Sequence, residues 1–121
     1  MKVLLSLFLL IGCLSCTQVK AQAGIITQDV ATFKKTIASK KVQLLDVRTP
    51  AEFSAGNITG ATNLDVKSEQ FKDMASKLDK KKPVAVYCRS GMRSATAANI
   101  LKEMGFKKIY NLDGGYLAWT K

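Results

Sequence analysis

The chain is predicted to fold as one α/β domain around a mainly parallel sheet, and three observations carry that prediction. From Gly24 onward, short β-branched runs alternate with segments of helical spacing, the pattern of strands joined by crossover helices rather than by hairpins. One run, Val84-Ala85-Val86-Tyr87, is apolar throughout, as a strand covered on both faces must be. The 121 residues, less an N-terminal export segment, leave room for one domain of about 100 residues and not for two. An apolar share of 47%, without low complexity or internal repeats, is enough for a hydrophobic core.

Residues 1–23 read as a signal peptide and residues 24–121 as the folded domain. Met1-Lys2 gives a positive start, Val3 to Leu14 is almost entirely apolar, and Ala21-Gln22-Ala23 supplies small residues for cleavage before Gly24. The apolar run is shorter than the roughly 20 residues of a membrane-spanning helix, so no permanent span is expected. Leu10-Ile11-Gly12-Cys13 resembles a lipobox and Ser15-Cys16 is a looser candidate, so a lipid anchor at Cys13 or Cys16 is the rival to simple cleavage, which is favoured. Either route places the protein in the periplasm or cell envelope of a bacterium. Cys13 and Cys16 also spell C-x-x-C, but within a leader the pair is not read as a metal or redox site, and neither metal nor cofactor is expected.

Within the domain, Thr27 can cap a first helix whose Val30, Phe33 and Ile37 share a face, and Val42 to Val47 follows as a strand. Pro50 and Glu52 open a helical turn that Gly56 and Gly60 break. Ala61 to Leu64 reads as a brief strand before Ser68 caps a helix with Phe71, Met74, Ala75 and Leu78 as its core stripe. Pro83 starts the strongest strand, which runs through Cys88 into a helix bearing Ala97, Ile100, Leu101 and Met104 on one side, with Gly105 as its stop. Lys108 to Leu112 is the last strand, Asp113-Gly114-Gly115 a turn, and Tyr116 to Trp119 a closing helical turn.

Nineteen basic residues against nine acidic ones give a net charge of +10, and removing Lys2 and Lys20 with the leader leaves +8. The excess is mostly lysine in short runs, with no aromatic residues interleaved for base stacking, which argues against nucleic acid and for solubility and anion steering. Cleavage would leave one cysteine, Cys88, so no intramolecular disulfide can form even in an oxidising compartment. A lone thiol there is a functional candidate.

Cys88 sits in Tyr87-Cys88-Arg89-Ser90-Gly91-Met92-Arg93-Ser94, between the carboxyl end of a buried strand and the first turn of a helix. Ligands of open α/β sheets bind at that edge. Unpaired backbone N–H groups, the helix dipole, Arg89 and Arg93 all favour an anion, so the Cys88 thiolate is expected to be stabilised and reactive. Gly91 lets the loop curl close to the sulfur. The same cradle suits a negative persulfide and needs no histidine base, in a chain that contains no histidine.

These residues, with Leu44 to Phe53 upstream and Asn111 to Trp119 downstream, resemble a single-domain rhodanese. The resemblance covers nearly the whole domain, and three segments in the right order make it specific. It implies a rhodanese-like α/β fold with a central parallel sheet and helices on both sides. It also implies transfer of a sulfane sulfur from thiosulfate or a similar donor to cyanide or a thiol, through a Cys88 persulfide. Cys88 matches the nucleophile, the backbone of Arg89, Ser90, Gly91, Met92, Arg93 and Ser94 matches the sulfur cradle, and the Arg93 side chain is placed to meet anionic donor groups, with Arg89 less securely so. The implied partners are a small sulfur donor, a thiophilic acceptor and, at most, a protein thiol.

Asp46 ends its strand, where it can bond the loop or offset its charge, while Arg48 and Glu52 read as ties between the next turn and the body; the three are secondary site residues. The sequence departs from the family at Gly56-Asn57-Ile58, where a histidine is common in place of Asn57, and Asn57 can still bond nearby backbone. Trp119 and Tyr116 are expected to close the core. Two competing functions remain. A cysteine phosphatase or arsenate reductase also uses a thiolate and an arginine on such a loop, but with one residue more than the six from Cys88 to Arg93. A non-catalytic binding module of the same family would more often lack the cysteine.

Overall fold

A computed structural model describes residues 24–121; the leader, with its candidate lipidation sites Cys13 and Cys16, lies outside the described residues. Five strands, β1 (Ile25–Gln28), β2 (Gln43–Asp46), β3 (Thr62–Asn63), β4 (Val84–Tyr87) and β5 (Ile109–Leu112), form one sheet in the order β1-β5-β4-β2-β3. Every neighbouring pair is parallel. The helices are α1 (Val30–Ile37), α2 (Pro50–Ala55), α3 (Phe71–Ala75), α4 (Met92–Glu103) and α5 (Gly115–Trp119).

The two faces of the sheet pack on different helices. Val84, Val86 and Cys88 point with Leu45, Val47 and Ile109 toward Phe71 and Ala75 of α3 and Ala97, Ala98 and Leu101 of α4. Ala85 and Tyr87 point the other way, with Leu44 and Leu112, toward Phe33 of α1, Ile58 and the partly buried Tyr116 and Trp119 of α5. This alternation explains why β4 is apolar at every position: both faces are covered, and each large side chain so buried contributes about 1.5–3 kcal/mol. No described helix is long and apolar enough to cross a membrane.

The start of the domain corrects one expectation. Thr27 does not cap α1; it lies in β1, paired with Asn111 of β5, and Asp29 is the cap, its Oδ1 accepting the Thr32 N–H at 2.9 Å. Ile25-Ile26-Thr27 is β-branched but too short to declare itself a strand, because its only sheet partner lies at the far end of the chain. Ser68 is likewise not the α3 cap. Its hydroxyl accepts the Gln70 N–H at 3.1 Å in a turn, and the helix begins at Phe71.

From β2 the chain moves outward to β3, whereas from the adjacent β4 it moves the other way to β5. That reversal opens a crevice at the carboxyl ends of β2 and β4, the place where doubly wound sheets hold ligands. Cys88 follows β4 directly, and Arg48 follows β2.

Candidate active site

Cys88 lies at the floor of this crevice, 1% exposed. The Gly91 N–H donates to its Sγ at 3.0 Å. The thiol donates to Ser94 Oγ at 3.4 Å, and that buried hydroxyl donates onward to the Gly91 carbonyl at 3.1 Å. Gly91 is the N-cap residue of α4 with φ +117°, a conformation that glycine adopts without strain and that turns its N–H onto the sulfur. Burial is the largest single influence on the thiol and pushes its pKa up. The Ser94 hydroxyl and the backbone N–H groups of Ser94, Gly91 and Ser90 together outweigh it, so the thiol ends below its ordinary value.

The loop rests on the amino end of α5. The Tyr116 N–H donates to the Cys88 carbonyl at 2.8 Å and the Leu117 N–H to the Arg89 carbonyl at 3.1 Å, so the first free donors of α5 are spent on the loop. Contact is close enough that a Cβ on Gly115 would lie 2.5 Å from the Arg89 carbonyl oxygen and 2.6 Å from that of Cys88, and Gly115 has φ +61°. Sequence reasoning read Asp113-Gly114-Gly115 only as a turn. Its double glycine was the available signal that backbone approaches backbone there.

The remaining predicted residues divide between two ion pairs and an exposed rim. Arg93 is occupied by Glu52: Nη1 donates to Oε1 at 2.7 Å and Nη2 to Oε2 at 3.0 Å, which clamps α4 to α2. Glu52 also closes a capping box with Thr49, and the Arg93 guanidinium, more than any other group, holds its carboxyl down at about 2. Arg48 and Asp46 are both buried, with Nη2 of Arg48 2.6 Å from Oδ2 of Asp46. Arg48 Nη2 also donates to the Gly56 carbonyl at 2.6 Å, and its guanidinium lies 4.4 Å from the Tyr116 ring centroid. Among the described residues, the Asp46 side chain bonds Arg48 and not the 88–94 loop, so Asp46 acts through Arg48. Arg89, Ser90 and Met92 form the rim, Met92 being 80% exposed. Asn57, the departure from the family pattern, donates to the Phe53 carbonyl at 2.9 Å.

A cavity of about 190 Å³ beside the loop is lined by Arg48, Glu52, Ala55, Gly56, Arg89, Tyr116 and Leu117. A larger concavity, about 490 Å³, lies at the opposite end of the sheet among lysines and has no cysteine in its lining. The smaller one adjoins the Cys88 loop through Arg89. Among the described residues no group of histidine, cysteine or carboxylate side chains could hold a metal ion.

The profile of the rhodanese-like domain matches residues 29–121. The uncharacterized protein YqhL of Bacillus subtilis is 42% identical over 80 residues, 66% of this chain and 62% of that protein. The thiosulfate sulfurtransferase GlpE of Shewanella oneidensis is 40% identical over 81 residues, covering 67% of this chain and 78% of that one. The tRNA uridine(34) hydroxylase of Pelagibacter ubique is 36% identical over 94 residues, but these make up only 31% of that protein. Among solved structures, the rhodanese-like domain of the Anabaena protein Alr3790 superposes with a TM-score of 0.70 at 29% identity, over 78% of this chain and 72% of that one. A rhodanese-like domain protein of Staphylococcus aureus gives 0.69 at 28% identity, over 78% and 90%.

Proposed function

Because the chain belongs to the rhodanese-like domain family, with thiosulfate sulfurtransferases among its relatives, we propose that it moves a sulfane sulfur from thiosulfate or a similar donor to cyanide or a thiol through a persulfide on Cys88. The observation that carries this reading is the sulfur held at 3.0 Å from the Gly91 N–H, at the start of a 12-residue helix, with no histidine anywhere in the chain. Such a site stabilises a sulfur anion with fixed donors and needs no proton acceptor to do so.

In the first step the Cys88 thiolate attacks the outer sulfur of thiosulfate. The donor's S–S bond breaks, its electron pair leaves with sulfite, and Cys88–S–S⁻ forms. An acceptor anion such as cyanide then attacks the terminal sulfur, thiocyanate departs, and the bond electrons return to Cys88 as thiolate. Charge balances in both steps, and ping-pong kinetics follow. Ser94 serves both states: its hydroxyl accepts from the thiol and can turn from the Gly91 carbonyl to donate to a sulfur anion. Donor oxygens can meet the exposed Arg89 at the cavity rim, since the Arg48 and Arg93 forks are already filled by Asp46 and Glu52. The six-residue loop from Cys88 to Arg93, one residue shorter than in the cysteine phosphatases, speaks against a phosphatase.

Residues 1–23 are proposed as an export signal, removed or lipidated, which places the domain in a bacterial periplasm or envelope; the apolar run Val3 to Leu14 and the small residues at Ala21 and Ala23 support this. Sulfur transfer is tested by intact-mass spectrometry before and after thiosulfate. A gain of one sulfur, reversed by cyanide and absent from a folded Cys88→Ala protein, is expected; no gain on a free thiol would overturn the proposal.

A further inference from the structure

The amino end of the sheet carries a charged surface that sulfur transfer does not use. Three connections enter β2, β4 and β5 there, and they bear Lys40-Lys41, Lys80-Lys81-Lys82 and Lys107-Lys108. The last five of these lysines line the 490 Å³ concavity, together with Pro83 and Gly105. The underlying turns are firmly built: Gln43 Nε2 donates to the Asp79 carbonyl at 2.9 Å, and Asp79 Oδ1 accepts the Lys81 N–H at 2.9 Å. Asp79 is the one carboxylate in these connections, and it is engaged with backbone. All seven lysines are exposed, and among the described residues none has a carboxylate within ion-pair distance. Gathering like charges in this way repels and costs stability, and a layer of anions relieves the repulsion.

The form of the surface narrows what those anions are. It has no arginine, whose rigid fork orients a single small anion, and no buried polar group in the concavity. Ammonium groups on flexible stems suit a broad, laterally mobile field of negative charge instead. The chain reaches the domain at this same end. Gly24 accepts the Ile109 N–H at 2.7 Å and lies so near Lys107 that a Cβ on it would sit 2.8 Å from that residue's carbonyl oxygen. We propose that the lysine end docks on an anionic phospholipid surface, leaving the Cys88 loop at the opposite end turned toward solution. Each lysine held near an anionic lipid surface contributes about 1 kcal/mol, so seven of them can hold the domain there without an inserted apolar segment. The proposal is independent of the chemistry at Cys88.

The test is cosedimentation of the full chain with phosphatidylcholine vesicles, with and without phosphatidylglycerol, over a range of salt. Anionic vesicles should bind it at least tenfold more tightly, by an advantage that salt erodes. The apolar run Val3 to Leu14 acts alike on both vesicles, so it cancels. Replacing Lys80, Lys82 and Lys108 by Gln should weaken anionic binding roughly 100-fold, at about fivefold per charge, with the urea unfolding midpoint not lowered, and replacing the same three by Arg should restore it. Equal binding to the two vesicles, or a Gln variant that binds as the wild type does, would overturn the proposal. So would inorganic phosphate displacing the protein better than chloride at equal ionic strength, which would assign the concavity to a small anion.

Discussion

The two ends of one parallel sheet use cations in opposite ways. Beside Cys88 the cations are the arginines Arg48, Arg89 and Arg93, and two of them are locked to carboxylates, at 2.6 Å and 2.7 Å. At the other end seven exposed lysines stand without carboxylate partners among the described residues. A planar guanidinium fixes where its partner sits, so the carboxyl end is a jig for the sulfur loop; an ammonium on a long stem fixes nothing, so the amino end is a field. The difference teaches that the charge of this domain is two separate devices. Substitutions should therefore act on geometry at one end and hardly at all on stability at the other.

The largest effect is expected from Arg48→Met. It strands the Asp46 carboxylate in the core and removes the bond to the Gly56 carbonyl and the contact with the Tyr116 ring. Breaking one partner of a buried pair costs about 3–5 kcal/mol. Urea unfolding measures it, and a loss below about 0.5 kcal/mol, the size expected of a surface site, would erase the contrast between the ends.

Gly115→Ala comes next. The added methyl meets the Arg89 and Cys88 carbonyls and the residue must keep φ +61°, so loop and helix have to separate at a cost of about 1–3 kcal/mol. Persulfide loading from thiosulfate should slow by at least tenfold, because the Gly91 N–H leaves the sulfur. Normal loading in a destabilised variant would show that α5 supports the fold and not the cradle.

Glu52→Gln probes the second ion pair through pH. The folded carboxyl sits at about 2 against an ordinary 4.5, so its contribution is fully present above pH 4.5 and is lost as pH falls from there toward 2. With partial solvent screening, the variant should lose about 1–2 kcal/mol at neutral pH and show a flatter acid limb than the wild type. Parallel acid limbs in urea titrations would place the acid sensitivity elsewhere.

How far these devices were legible in the sequence follows from how local they are. The β4–Cys88–α4 segment was readable because strand, glycine turn and helix are contiguous, and each signals itself. The Asn57 bond to Phe53 and the core stripe of α3 were readable for the same reason. β1 was not, since Ile25-Ile26-Thr27 becomes a strand only when β5 arrives beside it. Nor was the Arg93–Glu52 clamp, which joins two helices far apart in the chain and turns an arginine expected to face the donor into a structural tie. Gly115 was legible as a glycine in a turn and illegible as the floor of the loop, because its partner is the Arg89 backbone rather than a side chain with a signature.

The smallest effect, and the sharpest for the comparison, is expected from Lys81→Gln. Its side chain is exposed and unpaired, and the turn is held by its backbone N–H, which the substitution keeps. Stability should change by less than about 0.5 kcal/mol. Its sign is informative: taking one charge from a cluster relieves repulsion, so the variant should melt slightly higher than the wild type at low ionic strength, and the gap should close as salt shortens the Debye length to about 8 Å at 0.15 M. A melting point lowered at every salt concentration would mean that Lys81 holds the turn in place, and the amino end would then be a second jig rather than a field.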